Sequence, residues 1–136
     1  GCDDDNDTNF AASLSGASEV PPVTTSATGT ATFTFDEEDE VLQFTLNVSN
    51  ISNVAMAHIH NGPVGVNGDI VVFLFNGPQT GTVNGLLSSG TIRSQDVQGI
   101  SFDQLIANMR SGQAYVNVHT TQNPAGEIRG QVEVLD

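Results

Sequence analysis

The chain has 136 residues, and its 16 acidic residues against three basic ones give a formal net charge of −13 at pH 7. A negative field of this size repels phosphate backbones and anionic lipid headgroups, so we expect neither nucleic acid nor a charged membrane surface as a partner. The length fits one domain, no apolar run approaches the ~20 residues of a membrane-spanning helix, and a single cysteine cannot form an internal disulfide.

The first nine residues form an acidic segment that begins with Gly1 and Cys2 and continues with aspartates at positions 3, 4, 5 and 7. Gly-Cys followed by a polar tract resembles the end of a bacterial lipobox, in which the cysteine becomes the lipidated N-terminus. Dense like charge opposes packing. Residues 1–9 are therefore predicted to be a disordered tether, with Cys2 as a lipid anchor at the bacterial cell envelope or, without the anchor, a secreted chain. The alternative is that Gly1 and Cys2 are left over from cloning and that a disordered tail without an anchor follows them.

Beyond residue 9, apolar and polar residues alternate with a period of two between turn residues, which predicts strands. The clearest case is a hairpin, in which the threonines of 28–35 face one side and its phenylalanines the other, and the acidic cluster 36–40 makes the turn to 41–48. Further strands are predicted at 10–14, 54–60, 70–75, 81–83, 86–92, 113–119 and 127–135.

One short helix interrupts the strands near residues 102–110. Ser101 and Gln104 have the spacing of a capping box, in which each side chain bonds the backbone N–H of the other residue. Gly112 is a favourable helix stop. Seven to nine short strands with a single helix predict an all-β domain over residues 10–136, built as an antiparallel Greek-key β-sandwich.

Four segments carry a resemblance to a known family. They are LSGASEVPP at 14–22, AHIHNGP at 57–63, YVNVHT at 115–120 and NPAGEIRG at 123–130. They occur in the family's order and bracket nearly the whole chain, which therefore resembles the CHRD (chordin-type) domain family. The resemblance implies an extracellular β domain similar in fold to copper-zinc superoxide dismutases, so a dismutase-like or immunoglobulin-like sandwich is expected. Chordin's role in growth-factor antagonism does not transfer with the fold.

The three histidines of the chain are the best candidate site. His58 and His60 lie two apart on a predicted strand and therefore share a face with Met56. His119 ends another predicted strand. If these strands are neighbours, three imidazoles converge and can bind copper or zinc with one coordination position open. We therefore expect one copper or zinc ion as cofactor, and the Met56 thioether would favour reduced copper.

Further polar residues surround this candidate site in the predicted register of the last two strands. A short loop joins them, which places Glu127 opposite His119 and Arg129 opposite Asn117. Glu127 is a candidate additional ligand, or a carboxylate that orients an imidazole. Asn117 shares the face and is a candidate for the same two roles. The H-x-H strand resembles the copper-ligand strand of the dismutases, but the chain lacks the extra histidines of a bridged copper–zinc pair.

Glu19 and Arg129 are expected to have structural roles at the edge of this site. Glu19 precedes two prolines in a rigid extended loop, and Arg129 is one of only three basic residues. In such an acidic chain the guanidinium is predicted to pair with a carboxylate, either Glu127 or Glu19. A role for Glu19 at the edge of a ligand site is the alternative.

Three functional interpretations remain open. The first is an extracytoplasmic module that binds a transition metal and is not a catalyst. The second is a protein-interaction or adhesion module, with an extracellular protein as partner, whose histidines only brace loops. The third is a mononuclear copper redox enzyme, which the negative surface disfavours because a dismutase gains from positive charge that steers its anionic substrate.

Overall fold

The computed structural model describes residues 7–135. Within that range the strands are β1 (Asp7–Ser15), β2 (Thr28–Asp36), β3 (Val41–Asn61), β4 (Ile70–Ile92), β5 (Ala114–Thr120), β6 (Ile128–Gln131) and β7 (Glu133–Leu135), and the helix is α1 (Phe102–Arg110). Two short 3-10 turns span Gly16–Ser18 and Ser94–Asp96. The predicted all-β class with one short helix is confirmed.

The first strand begins earlier than the sequence predicted. β1 starts at Asp7, and residues 7–9, assigned to the tether, pair with the end of β2. Asn9 also pairs with Leu135 of β7, and its Oδ1 accepts a 2.9 Å hydrogen bond from Thr34 Oγ1. Ladder pairing on both sides therefore extends the strand into the polar segment. Cys2, with the predicted lipid anchor, lies outside the described residues.

β3 and β4 are long strands where the sequence predicted several short ones. β3 has 21 residues and β4 has 23, so the predicted breaks at 49–53, 76–80 and 84–85 are wrong. The backbone of β3 is irregular at 49–53 but does not leave the sheet. Asn50 and Asn53 each adopt a φ of 57°, and the β3–β4 register shifts nearby. Asparagine tolerates the left-handed region, and bulges bend a strand without ending it.

The strands form an antiparallel sheet that closes into a barrel. The hydrogen-bonded order is β2-β1-β6-β5-β3-β4, and β2 also pairs with β3. β3 closes the ring because its first half pairs with β2 and its second half with β5. β4 and β7 are additional strands, attached to β3 and β1. The antiparallel architecture is confirmed, whereas the Greek-key sandwich is not, because bent strands join what would have been two sheets.

Helix α1 follows the predicted pattern, with one difference at its cap. Ser101 Oγ accepts the Gln104 backbone N–H at 3.0 Å, but the Gln104 side chain donates to Asn108 Oδ1 at 2.9 Å and does not complete the capping box. The apolar face of the helix is buried through Phe102, Leu105, Ile106 and Met109. In the part of the chain that the structure describes, no helix has the length and apolar character that a membrane crossing requires.

β5 divides its side chains between the barrel core and the outer face of the barrel. Val116 and Val118 belong to the core cluster and are fully buried. Tyr115, Asn117 and His119 alternate with them and point outward. Two loops cover this outer face, namely residues 62–69 between β3 and β4 and residues 121–127 between β5 and β6. Polar side chains are thus buried here without entering the core.

Candidate metal site

Neighbouring strands bring the three histidines together, as expected. β3 and β5 pair antiparallel, with Met56 opposite His119 and His58 two pairs further along, opposite Asn117. One nitrogen atom from each of the three imidazoles lies within 4.8 Å of the others. His58 Nδ1 and His119 Nε2 are 3.1 Å apart. Two nitrogen ligands of a tetrahedral ion with ~2.0–2.1 Å bonds lie about 3.3 Å apart, so this spacing fits two ligands of one ion.

Loop carbonyls set the orientation of two of the imidazoles. His60 Nδ1 donates to Gly68 O at 3.0 Å, and His119 Nδ1 donates to Pro124 O at 2.9 Å. The lone pair of each neutral ring is therefore on Nε2, which points away from the loop. His60 Nε2 and His58 Nε2 are buried without a hydrogen-bond partner among residues 7–135. Buried ring nitrogens without partners cost free energy. An ion bound by His58 Nδ1, His119 Nε2 and His60 Nε2 would offset this cost at His60, whereas His58 Nε2 would then carry the proton of its ring.

The three imidazoles are held in the neutral form, which is the form that binds metal. Burial, followed by the neighbouring His119 and His60, lowers the pKa of His58 from 6.5 to about 4. Burial also lowers the pKa of His60 and of His119, although the carbonyl that accepts each Nδ1–H opposes the shift. At neutral pH the site therefore presents uncharged nitrogen donors.

Aromatic rings enclose the histidines on two sides. The Phe73 ring meets His58 edge to face at 4.7 Å between centroids. The Tyr115 ring stacks on His60 at 4.8 Å, with 5° between the ring planes. Arg129 Cζ lies 3.5 Å from the centre of the same Tyr115 ring. A stacked row of guanidinium, phenol and imidazole therefore continues from Arg129 to the metal site.

Arg129 is a buried cation whose partners the sequence did not predict. It is 1% exposed, and its guanidinium donates to Pro63 O at 3.0 Å, Val66 O at 2.9 Å and Asn67 Oδ1 at 3.2 Å. Within residues 7–135 it forms no hydrogen bond with a carboxylate, so the predicted pairing with Glu127 or Glu19 is corrected. The guanidinium instead holds the 62–69 loop, whose Gly68 carbonyl orients His60.

Glu127 serves the 121–127 loop, and its carboxylate is not among the groups that the structure brings together around one ion position in residues 7–135. It accepts hydrogen bonds from Thr25 and Thr120 at 2.7 Å, Gln122 at 3.1 Å and Asn123 at 3.2 Å. Burial raises its pKa, but these four donors together lower it further, so the net pKa lies below the ordinary value. A carboxylate saturated in this way is a poor metal ligand. Its contribution is to fix the loop that carries the Pro124 carbonyl.

Asn117 and Met56 flank the histidines in the register that the sequence predicted. Asn117 lies opposite Arg129 on β6, and its buried Oδ1 has no hydrogen-bond partner among the described residues. Met56 is 39% exposed beside His119. Both lie on the face that carries the imidazoles. A role of either side chain as a metal ligand stays a prediction.

Glu19 is a buried acid close to Arg129. It is 5% exposed, its Oε2 has no hydrogen-bond partner among the described residues, and burial raises its pKa to about 7 although Arg129 opposes the shift. Gly126 permits the close approach, since a Cβ at that position would lie 2.5 Å from Glu19 Oε2. The Arg129 charge therefore acts on Glu19 without the predicted direct pairing.

The raised pKa of Glu19 predicts a pH-dependent stabilisation by Glu19→Gln. Above pH 4.5 the unfolded chain loses the proton while the folded chain keeps it up to about pH 7, so the wild type loses stability across this window. The free-energy difference in favour of the variant should grow between pH 4.5 and 7 and then level off, reaching about 1–2 kcal/mol after allowance for solvent screening. Urea unfolding at pH 4, 6 and 8 measures it.

The control for this series is Glu133→Gln, which removes one negative charge from an exposed position of β7. A difference for Glu19→Gln that does not change with pH, or that changes no more than the control, would contradict the assignment of a proton to Glu19.

The chain belongs to the CHRD domain family. The model of that family matches residues 10–132, which is nearly the whole of the barrel. No curated protein matches the chain in sequence.

Proposed function

We propose that this CHRD domain binds one transition-metal ion, copper or zinc, through His58, His60 and His119. The observation that carries the proposal is the convergence of three neutral imidazoles, two of them oriented by loop carbonyls. Each Nδ1–H to carbonyl hydrogen bond is the arrangement that commonly fixes a histidine ligand in metalloproteins. Three nitrogen donors leave a position open for a further ligand or solvent.

The chemistry of the donors favours copper and zinc over harder ions. Imidazole suits copper, zinc, nickel and iron, whereas calcium and magnesium prefer oxygen ligands. The exposed Met56 thioether beside His119 is a soft donor that favours reduced copper. The net charge of −13 attracts cations toward the surface.

The test is metal content of the purified full chain, followed by titration with Cu²⁺, with Cu⁺ under reducing conditions and with Zn²⁺. We expect about one equivalent of metal per chain. Removal of a group that only orients a ligand typically weakens metal affinity ~10–100-fold, so replacing His58, His60 and His119 together with alanine should weaken it by more than that. Met56→Leu should weaken the binding of Cu⁺ and leave the binding of Zn²⁺ unchanged. Asn76→Ala, an exposed change opposite Met56 on β4, is the control.

A second candidate function is an interaction module whose histidines only brace loops. It is favoured by the same two hydrogen bonds, because His60 ties down the 62–69 loop and His119 ties down the 121–127 loop. Absence of tight metal binding by the wild type, together with a lowered melting temperature of the triple variant, would decide for this reading. Metal binding that the triple variant loses while its circular dichroism is unchanged would decide against it.

We propose an extracytoplasmic location, which the family and the predicted anchor support. CHRD domains are typically extracellular, and lipidation at Cys2 would hold the domain outside the membrane. A role in metal handling fits better than redox catalysis, because the acidic surface repels anionic substrates. Redox catalysis at a copper centre would be supported by turnover that replacement of any one of the three histidines abolishes.

A further inference from the structure

A cleft of about 270 Å³ lies between residues 17–20, the tip of the 62–69 loop and strand β6. Ala17, Val20 and Val64 give it apolar walls, and Glu19 and Arg129 are the two charged residues of its lining. The volume is just below the ~300–1,000 Å³ of sites for drug-sized ligands, so the cleft suits a smaller group. None of the three histidines lines the cleft, which is therefore separate from the candidate metal site.

Glu19 lacks the hydrogen-bond donors that the other buried acid of the described residues has. Glu19 and Glu127 are both 5% exposed. Glu127 accepts hydrogen bonds from four side chains of the same chain. Glu19 Oε2, in contrast, is buried without a partner among residues 7–135. A buried acid with a purely structural role is expected to find its donors within the fold, as Glu127 does, so the missing donor of Glu19 points to a bound ligand.

The groups around Glu19 leave the cleft as the side from which a donor can approach. The Arg129 guanidinium is already occupied by three acceptors of the 62–69 loop, at 2.9, 3.0 and 3.2 Å. Gly126 closes the carboxyl on another side, because a Cβ at that position would lie 2.5 Å from Glu19 Oε2. A ligand therefore reaches this carboxyl group through the cleft that Glu19 lines.

The polar groups that remain in the cleft accept hydrogen bonds and favour positive charge. Gln131 uses its Nε2 donors on Gly62 O and Gly112 O, at 2.7 and 3.0 Å, which leaves its amide oxygen as an acceptor. The Glu19 carboxyl is the second acceptor. An ammonium group has three donors and no acceptor. The net charge of −13 attracts such a cation and repels an anion that would pair with Arg129.

We propose that this cleft binds a primary ammonium group on an unbranched apolar chain, with Glu19 as its counterion. The apolar walls contact the methylene groups of the ligand, and Val64, which is 78% exposed at the loop tip, covers them on the solvent side. The lysine side chain of a partner protein and a free alkylamine share this chemistry. Binding of this kind requires no metal ion.

The test is a titration of the full chain with n-butylammonium chloride at pH 8, with EDTA and a reducing agent present, followed by two-dimensional amide NMR spectra. We expect saturable shifts at residues 17–20, 64–65 and 129–131. n-Butanol, which has the same chain without the charge, should cause none. A capped tripeptide with a central lysine distinguishes the sources of the ammonium. Tighter binding of the peptide than of n-butylammonium identifies a lysine of a partner protein as the ligand, and weaker binding identifies a free amine.

The affinity for n-butylammonium should depend on pH through Glu19. Burial raises the pKa of Glu19 to about 7, although Arg129 opposes the shift, while the ammonium stays charged to about pH 10. About a tenth of Glu19 is ionised at pH 6 and about nine-tenths at pH 8, so the affinity should rise about tenfold between them. Glu19→Gln should bind about tenfold more weakly at pH 8 and lose this pH dependence. That variant is expected to be more stable than the wild type at pH 8, so weaker binding would not reflect unfolding.

Val64→Ser should weaken the binding of n-butylammonium about threefold, because it removes apolar contact with the chain of the ligand. The matched control is Val66→Ser, at a 49% exposed position of the same loop outside the cleft lining, which should bind as the wild type does. A wild type without saturable shifts, shifts confined to the acidic turn 36–40, equal binding of n-butanol, or wild-type affinity of Glu19→Gln would each overturn the proposal. Because metal is absent from the assay, every outcome is independent of the histidine site.

Discussion

Arg129→Ala is expected to destabilise the domain by about 3–5 kcal/mol, among the largest effects of any single substitution. The change removes a fully buried side chain and takes the donor from the carbonyls of Pro63 and Val66 and the amide oxygen of Asn67, in three part-buried hydrogen bonds. A hydrogen bond from a charged donor contributes about 1.5–3 kcal/mol, and less where solvent can replace the donor, while the packing of the side chain against the Tyr115 ring is lost as well. Chemical denaturation followed by circular dichroism measures the loss.

A second arginine provides the matched control for this prediction. Arg110→Ala removes an exposed guanidinium whose hydrogen bond goes to Thr8 Oγ1 at 3.1 Å, and it should cost less than about 1 kcal/mol. Arg129→Lys should recover only part of the stability, because one ammonium cannot bond three acceptors in the plane of a guanidinium. Equal costs for the two arginine-to-alanine variants would show that the 62–69 loop does not depend on Arg129.

Gly68→Ala is expected to disrupt the histidine site from outside it. A Cβ at Gly68 would lie 1.5 Å from Asn61 O, so the backbone of the 62–69 loop must move. Gly68 holds two residues of the site, because its N–H donates to Tyr115 Oη at 3.0 Å and its carbonyl accepts from His60 Nδ1 at 3.0 Å. We expect a stability loss of about 2–3 kcal/mol and metal affinity about 10–100-fold weaker.

Gly65→Ala lies in the same loop and is the control for Gly68→Ala. A Cβ there meets nothing within 4 Å, and the φ of +83° alone should cost about 1 kcal/mol. Metal affinity should stay at the wild-type value because Gly65 contacts no histidine. If the two glycine variants bind Zn²⁺ equally well, then the Gly68 carbonyl does not orient His60 as a ligand.

Much of the fold was predictable because its pattern is local. The period of two identified most strands, and Ser101 identified the start of α1, because a strand face and a helix cap depend on near neighbours. The continuity of β3 was not predictable. Asn50 and Asn53 look like turn residues, and only pairing with β2, β4 and β5 shows that the chain bends there without turning back.

The candidate site was predictable in its central residues and not in their supports. His58 and His60 share a face by spacing alone, and the short final loop brings Arg129 opposite Asn117 as expected. The Gly68 carbonyl carries no side-chain signal, so nothing in the sequence marks it as a partner of His60. The choice between carbonyls and carboxylates as partners of Arg129 depends on loop conformation, which a local pattern does not determine.

The alternation along β5 limits which changes of chain length the domain can tolerate. Val116 and Val118 fill the barrel while Asn117 and His119 face the covering loops. Deleting or inserting one residue in this strand would exchange the two sets, placing an imidazole in the core and valines beneath the loops. The tip of the 62–69 loop has no such constraint, since its Gly65 adjoins open space. Length variation is therefore expected at that tip and not within β5.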